Sequence, residues 1–247
     1  MYPLYRGYRP DDNRLAPEYK DSILVGNLDP LYARSLALKS GEETIVIVAL
    51  DYIVVPAGEK HVRRISEALN LPEKNVYLIA THTHNVPAVS TRFGSEEPSD
   101  DFKKLLAEKP EDAKRQLAFE QLLLDGMLQA AVEAVQHLEP ASVGIGSTDS
   151  YINVNRDQVY TGEYHMGYNG AGHSDKTAAL IRFAGQDGHT IARLANYACH
   201  AISAYLNRCC KDGASGTTGD IPGLVSRTFE ELDPGSVCLW TPAAQGN

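Results

Sequence analysis

The sequence predicts an α/β fold in which mixed β-sheets, built from hairpins and strand–helix–strand units, pack against helices. Three features carry that expectation. Thr44 to Leu50 is apolar almost throughout, as in a strand buried on both faces. Gly58 to Leu69 places Val62, Ile65, Ala68 and Leu69 on one side of a helix. Two pairs of strand-like runs flank short glycine-containing loops, which is a hairpin pattern and argues against a purely parallel sheet.

The elements follow in order. Residues 1–22 are polar and turn-rich and read as a surface wrap. Leu31 to Leu38 and Thr44 to Leu50 form the first hairpin around Ser40-Gly-Glu-Glu43. The amphipathic helix ends before Pro72, and Asn75 to Thr81 is the next strand. Arg92 to Glu108 is charged and reads as a loop. Glu111 to Leu138 is the longest helical pattern, stopped ahead of Pro140, and Ala141 to Ser147 is a strand. Tyr151 to Lys176, rich in glycine and aromatics, reads as a long loop of the kind that often serves function. Thr177 to Phe183 and Thr190 to Ala198 form the second hairpin, around Gly185-Gln-Asp-Gly188. Pro222 to Leu232 is a helix and Val237 to Thr241 a last strand. With no repeat and no low-complexity linker, residues 1–247 read as one domain.

A net charge of -9 opposes binding to phosphate backbones and anionic lipid, so nucleic acid is not an expected partner. No run reaches the length of a membrane span, and the N-terminus has no apolar signal region, so the expected compartment is the cytosol. Cys199, Cys209, Cys210 and Cys238 do not make a disulfide framework for a domain of this size and read as reduced thiols.

Chemistry is most concentrated at strand ends. His82 and His84 follow an apolar strand and, in an extended chain, point to the same face. They read either as packing histidines or as ligands for zinc or a similar ion, with Thr81, Thr83 and Asn85 as hydrogen-bonding neighbours. His200 ends another apolar strand and can converge on them, while Cys199 points the other way. Asp220 is a natural helix N-cap, or a carboxylate that orients a metal-bound histidine. Arg156 lies in an extended Asn153-Val-Asn-Arg-Asp157 piece and reads as a carbonyl-polarising or anion-binding group, or as half of a surface ion pair. His165 and His173 sit in the glycine-rich loop, either solvated or at a substrate mouth. His61, His137 and His189 read as helix-surface or turn residues without a role. Serine-hydrolase and nucleotide-binding signatures are absent from the sequence.

Six stretches, in order, resemble the neutral/alkaline, non-lysosomal ceramidase family. They are Leu28-Asp-Pro-Leu-Tyr-Ala-Arg34 with Leu36-Ala-Leu38, Ile65 to Val76, Ala80-Thr-His-Thr-His84, Asn153-Val-Asn-Arg156, Asn196-Tyr-Ala-Cys-His200 and Gly219-Asp-Ile-Pro-Gly223. The resemblance implies a ceramidase-like catalytic fold and zinc-dependent hydrolysis of an N-acyl amide. It makes His82 and His200 zinc ligands, His84 their active-site neighbour, Arg156 an active-site arginine and Asp220 a supporting residue. Where the family has Ser-Gly-Pro after the histidine pair, this chain has Asn85-Val-Pro87; where the family has Pro after the later histidine, it has Ala201. These differences beside the pocket point away from ceramide toward another small-molecule or peptide-like amide. The stretch Thr241 to Asn247 resembles the start of the family's catalytic-serine segment, with Asn247 at its aspartate position. The family's remaining zinc ligands, a glutamate and a tyrosine, lie later still. Two explanations follow from the resemblance: the sequence is a piece of a longer chain, or, as expected here, the polypeptide is cleaved after Asn247 and a companion chain supplies a nucleophile and those ligands. Two rival readings are a metal hydrolase of the β/α-barrel type, which also carries His-x-His at a strand end, and a non-catalytic binding subunit with the family fold.

Overall fold

A computed structural model describes residues 2–3, 24–87, 89–204 and 215–246. In chain order its strands and helices are β1 (Tyr2–Pro3), β2 (Leu24–Asn27), β3 (Tyr32–Ser40), β4 (Glu43–Leu50), α1 (Gly58–Leu69), β5 (Val76–Ala80), α2 (Asp100–Glu108), α3 (Pro110–Gln136), β6 (Ala141–Asp149), β7 (Asn155–Tyr160), β8 (Glu163–Asn169), β9 (Thr177–Gly185), β10 (Thr190–Tyr197), β11 (Ser215–Thr217), α4 (Asp220–Leu232) and β12 (Val237–Pro242). Two mixed four-stranded sheets run β1-β3-β4-β5 and β12-β10-β9-β6. The pairs β11-β2 and β7-β8 stand beside them.

The two sheets share a plan. In each, an antiparallel hairpin is followed by a helix that returns the chain to a strand parallel to the hairpin's second arm. The units are β3-β4-α1-β5 and β9-β10-α4-β12. Side-chain alternation then builds four layers. On β4, Val46, Val48 and Leu50 pack with Ile65 of α1 and Leu123 and Met127 of α3. Ala49 and Ile47 turn the other way and meet Phe183, Ala192 and Leu239 of the second sheet. On that sheet's far side, Ala195, Tyr197, Cys238 and Trp240 receive Val225 and Phe229 of α4. The order is helices, sheet, sheet, helix. It explains why β4 is apolar at both odd and even positions: each face is covered.

A buried ion cluster joins the layers. Arg34 Nη1 donates to Asp51 Oδ2 at 3.0 Å, and its Nε and Nη2 donate to Glu230 at 2.8 and 3.3 Å. All three residues are buried. Burial pushes the Asp51 carboxyl up, and the Arg34 guanidinium offsets only part of that rise.

Several expectations need correction. Arg92 to Glu108 is not all loop: Ser99 caps α2, its hydroxyl accepting from Phe102 N at 3.1 Å. Tyr151 to Lys176 contains the β7-β8 hairpin, turning at Thr161 (φ 53°) and Gly162 (φ 84°). His61 is buried, not a helix-surface residue. Asp220 is the first residue of α4 and the cap position falls on Gly219. The described residues form two mixed four-stranded sheets and two strand pairs, not the eight parallel strands of a barrel. Cys199 and Cys238 are free and buried. No helix among the described residues is long and apolar enough to cross a membrane. Most of residues 1–22, together with Cys209, Cys210 and Asn247, lie outside the described residues.

Candidate metal centre

The candidate site lies at the carboxyl ends of the parallel strands of both sheets, where chains leave the layers and backbone groups remain for side chains to use. Beyond β5, Thr81 N still donates to Leu50 O and His82 N to Tyr52 O, at 2.9 and 3.0 Å. The backbone then turns left-handed at His82 (φ 66°). That conformation is uncommon for a residue with a Cβ and is concentrated at sites where surrounding structure enforces it. The two histidines therefore meet through a kink rather than along the extended strand that the sequence implies. His84 N donates to Ala201 O at 3.1 Å, which ties this loop to the one that leaves β10 through His200.

Three imidazoles converge. His84 Nε2 lies 3.4 Å from His82 Nε2 and 2.9 Å from His200 Nε2. One ligand nitrogen from each residue falls within 4.8 Å of the others. The rings are half-buried. His82 Nδ1 is 2.7 Å from Ile53 O, and His200 Nδ1 is 2.8 Å from Gln245 O. A carbonyl can only accept, so both Nδ1 atoms carry the proton when these rings are neutral. Their Nε2 lone pairs then face the centre, the arrangement by which backbone carbonyls orient metal-bound histidines. At 2.9 Å, Nε2 of His84 and Nε2 of His200 are at hydrogen-bond distance, with donor and acceptor set by the His84 tautomer.

Electrostatics favour the ligand form. Burial, with the charges of His200, His82 and Arg156, holds His84 down to about 4. Burial, Arg156 and His82 lower His200 as well, against the opposing Gln245 carbonyl. Both are neutral at pH 7. Imidazole nitrogens suit zinc and similar ions, and the three ligand atoms lie within 4.8 Å of one another.

The surroundings hold the loops rather than the rings. Thr83 Oγ1 donates to Thr218 O at 2.8 Å, and Thr218 N to Asn85 O at 3.0 Å. Asn85, fully buried, donates from Nδ2 to Ala204 O at 3.0 Å and Gly216 O at 3.3 Å. Thr81 Oγ1 has no hydrogen-bond partner among the described residues. Thr83 and Asn85 thus bond backbone of the adjoining loops, and carbonyls of Ile53 and Gln245 orient the rings. No side-chain pattern in the sequence marks either carbonyl.

Asp220 also has positive φ (53°) and is buried. Its oxygens accept from Ala204 N at 2.9 Å and Ile221 N at 2.6 Å, so it braces the loop behind His200 and does not join the nitrogen cluster. Gly219 has a steric reason: a Cβ there would sit 2.8 Å from Gly223 Cα. Asp29 accepts from Thr218 Oγ1 at 2.6 Å and Gly219 N at 3.0 Å and pairs with Arg227 at 3.1 Å. Arg156 is half-buried on β7, close enough for its charge to act on His84 and His200. Asn153 fixes that segment: its Nδ2 donates to Ala198 O at 2.6 Å, and Tyr197 Oη donates to its Oδ1 at 2.8 Å. His165 and His173 are exposed and outside the cluster.

No protein-family model matches the chain, and no curated protein matches its sequence. Solved structures do match. The neutral ceramidase from Pseudomonas aeruginosa aligns with a TM-score of 0.63 at 18% identity, over 90% of this chain and 34% of that one. A ceramidase complexed with C2 aligns with a TM-score of 0.62 at 17% identity, over 88% of this chain and 32% of that one. The chain therefore has the fold of part of a neutral ceramidase and spans about a third of the length of these structures.

Proposed function

We propose that this chain carries the histidine side of a zinc-dependent amidohydrolase site that cleaves an N-acyl amide. The observation that carries the reading is the convergence of three Nε2 atoms, two of them aimed by backbone carbonyls at their Nδ1 atoms. The fold shared with neutral ceramidases supports the reaction class.

His82 and His200 would hold the metal. When bound, zinc polarises an amide carbonyl or lowers the pKa of a bound hydroxyl or water. His84, neutral at pH 7, accepts or passes a proton at Nε2 beside them. Arg156 supplies fixed positive charge for the carbonyl oxygen or for an anionic substituent. Asp220 keeps the 201–204 loop, and with it His200, in register.

Hydrolysis of a panel of N-acyl amides tests this directly. Turnover should vanish on chelation, return with zinc, and be lost in His200→Ala. Turnover indifferent to chelation and to that substitution would refute the zinc assignment, and a zinc-loaded protein that cleaves none of the panel would favour a binding subunit.

A further inference from the structure

A cavity of about 500 Å³ runs along β5 to the histidine cluster, and His82 forms part of its wall. Ile53, Val55, Leu78, Ala80 and Phe93 give it an apolar lining. One imidazole therefore belongs both to the nitrogen cluster and to this cavity. Phe93 is 87% exposed, an aromatic ring held in water at the edge of an apolar space. Glu59 and Glu96 line the same cavity and are exposed, so its rim is acidic. Glu96 is paired with Arg63 at 2.8 Å, and Glu59 stands in the first turn of α1.

The size lies within the range of about 300–1,000 Å³ typical of small-molecule sites, which are mostly apolar with a few placed polar groups. A single exposed apolar residue needs no explanation, but one that borders an apolar cavity beside a candidate reactive centre does. We infer that this cavity is a specificity site for one substituent of the amide, and that it takes an uncharged apolar group, best an aromatic ring that Phe93 can cover. The acidic rim disfavours a substituent ending in a carboxylate. This inference rests on the amide-hydrolase reading of the histidine cluster.

Hydroxamic acids R–CO–NHOH, which chelate zinc and differ only in R, separate the two. The intact protein as purified is loaded with zinc, and binding is measured by calorimetry for R = methyl, benzyl and 4-carboxybenzyl. Burial of a phenyl ring should make the benzyl compound bind roughly ten- to a hundredfold tighter than the methyl one. The 4-carboxybenzyl compound should lose most of that gain. Phe93→Ala, at an exposed position, and Ala80→Phe, which fills the cavity, should each shrink the benzyl advantage while leaving methyl binding and zinc content unchanged. Zinc-dependent methyl binding with no benzyl preference, or a preference untouched by both variants, overturns the cavity assignment alone. Failure to bind any of the three together with failure to hold zinc overturns both readings.

Discussion

Asn85 offers a sharp test of how the site is held. Its side chain makes two buried hydrogen bonds, to Ala204 O behind His200 and to Gly216 O ahead of Asp220, while His84 is its neighbour in sequence. It thus ties together the three loops that carry the candidate residues. In Asn85→Ala the buried Gly216 carbonyl and the part-buried Ala204 carbonyl each lose a donor. A buried group left without a partner costs about 1–3 kcal/mol, and water can reach the Ala204 carbonyl, so the loss is about 1–3 kcal/mol. Asn75→Ala is the control. Asn75 Nδ2 donates to Thr44 O at 2.9 Å and Glu43 at 3.2 Å, at the opposite end of β5 from the histidines. Urea unfolding should show comparable losses for the two variants. Zinc affinity, by competition with a chelating dye, should fall about tenfold or more in Asn85→Ala and stay unchanged in Asn75→Ala. Equal zinc affinity in both variants would show that Asn85 does no more than stabilise the fold.

Two further outcomes follow from buried charge. Arg34→Ala strands Asp51 and Glu230 without their shared partner, so it should destabilise the protein by about 3–5 kcal/mol in urea unfolding, and Arg34→Lys should not rescue it because a lysine lacks the planar fork that serves both carboxylates. Burial lowers His61 from 6.5 to about 4, so between those values the unfolded chain binds the extra proton. The associated stability is complete above about pH 6.5 and is lost as pH falls toward 4. Unfolding free energies between pH 7 and pH 4 should therefore drop less steeply in His61→Gln than in the wild type; parallel curves would contradict the burial argument.

Much of the fold is legible in the sequence because its period and its layers agree. The apolar run of β4 states that both faces are covered, and the helix from Gly58 to Leu69 is observed with those bounds. The α2 helix was hidden by its charge: only Phe102 is buried, so the segment carries little apolar periodicity, and the Ser99 cap is its clearest signal. The β7-β8 hairpin was hidden because most of its side chains are exposed and leave no alternating pattern. Within the candidate site, the histidines are legible from their strand-end positions. The left-handed turn at His82 and the carbonyls of Ile53 and Gln245 are not, because backbone conformation and backbone acceptors have no residue type of their own. Asp29 and Arg34 of the ceramidase-like stretch acquire a physical meaning only in three dimensions, as anchors of the Thr218–Gly219 turn and of α4.

The most direct test of the account is the zinc content and affinity of the purified protein and of three single variants, His82→Ala, His84→Ala and His200→Ala. The account predicts that the protein binds zinc through His82 and His200, so that affinity falls roughly a hundredfold or more in His82→Ala and in His200→Ala, since each removes a ligand whose Nε2 is aimed at the centre, and falls less in His84→Ala. Stoichiometric zinc unaffected by either substitution, or no zinc held by the wild type at all, would contradict it.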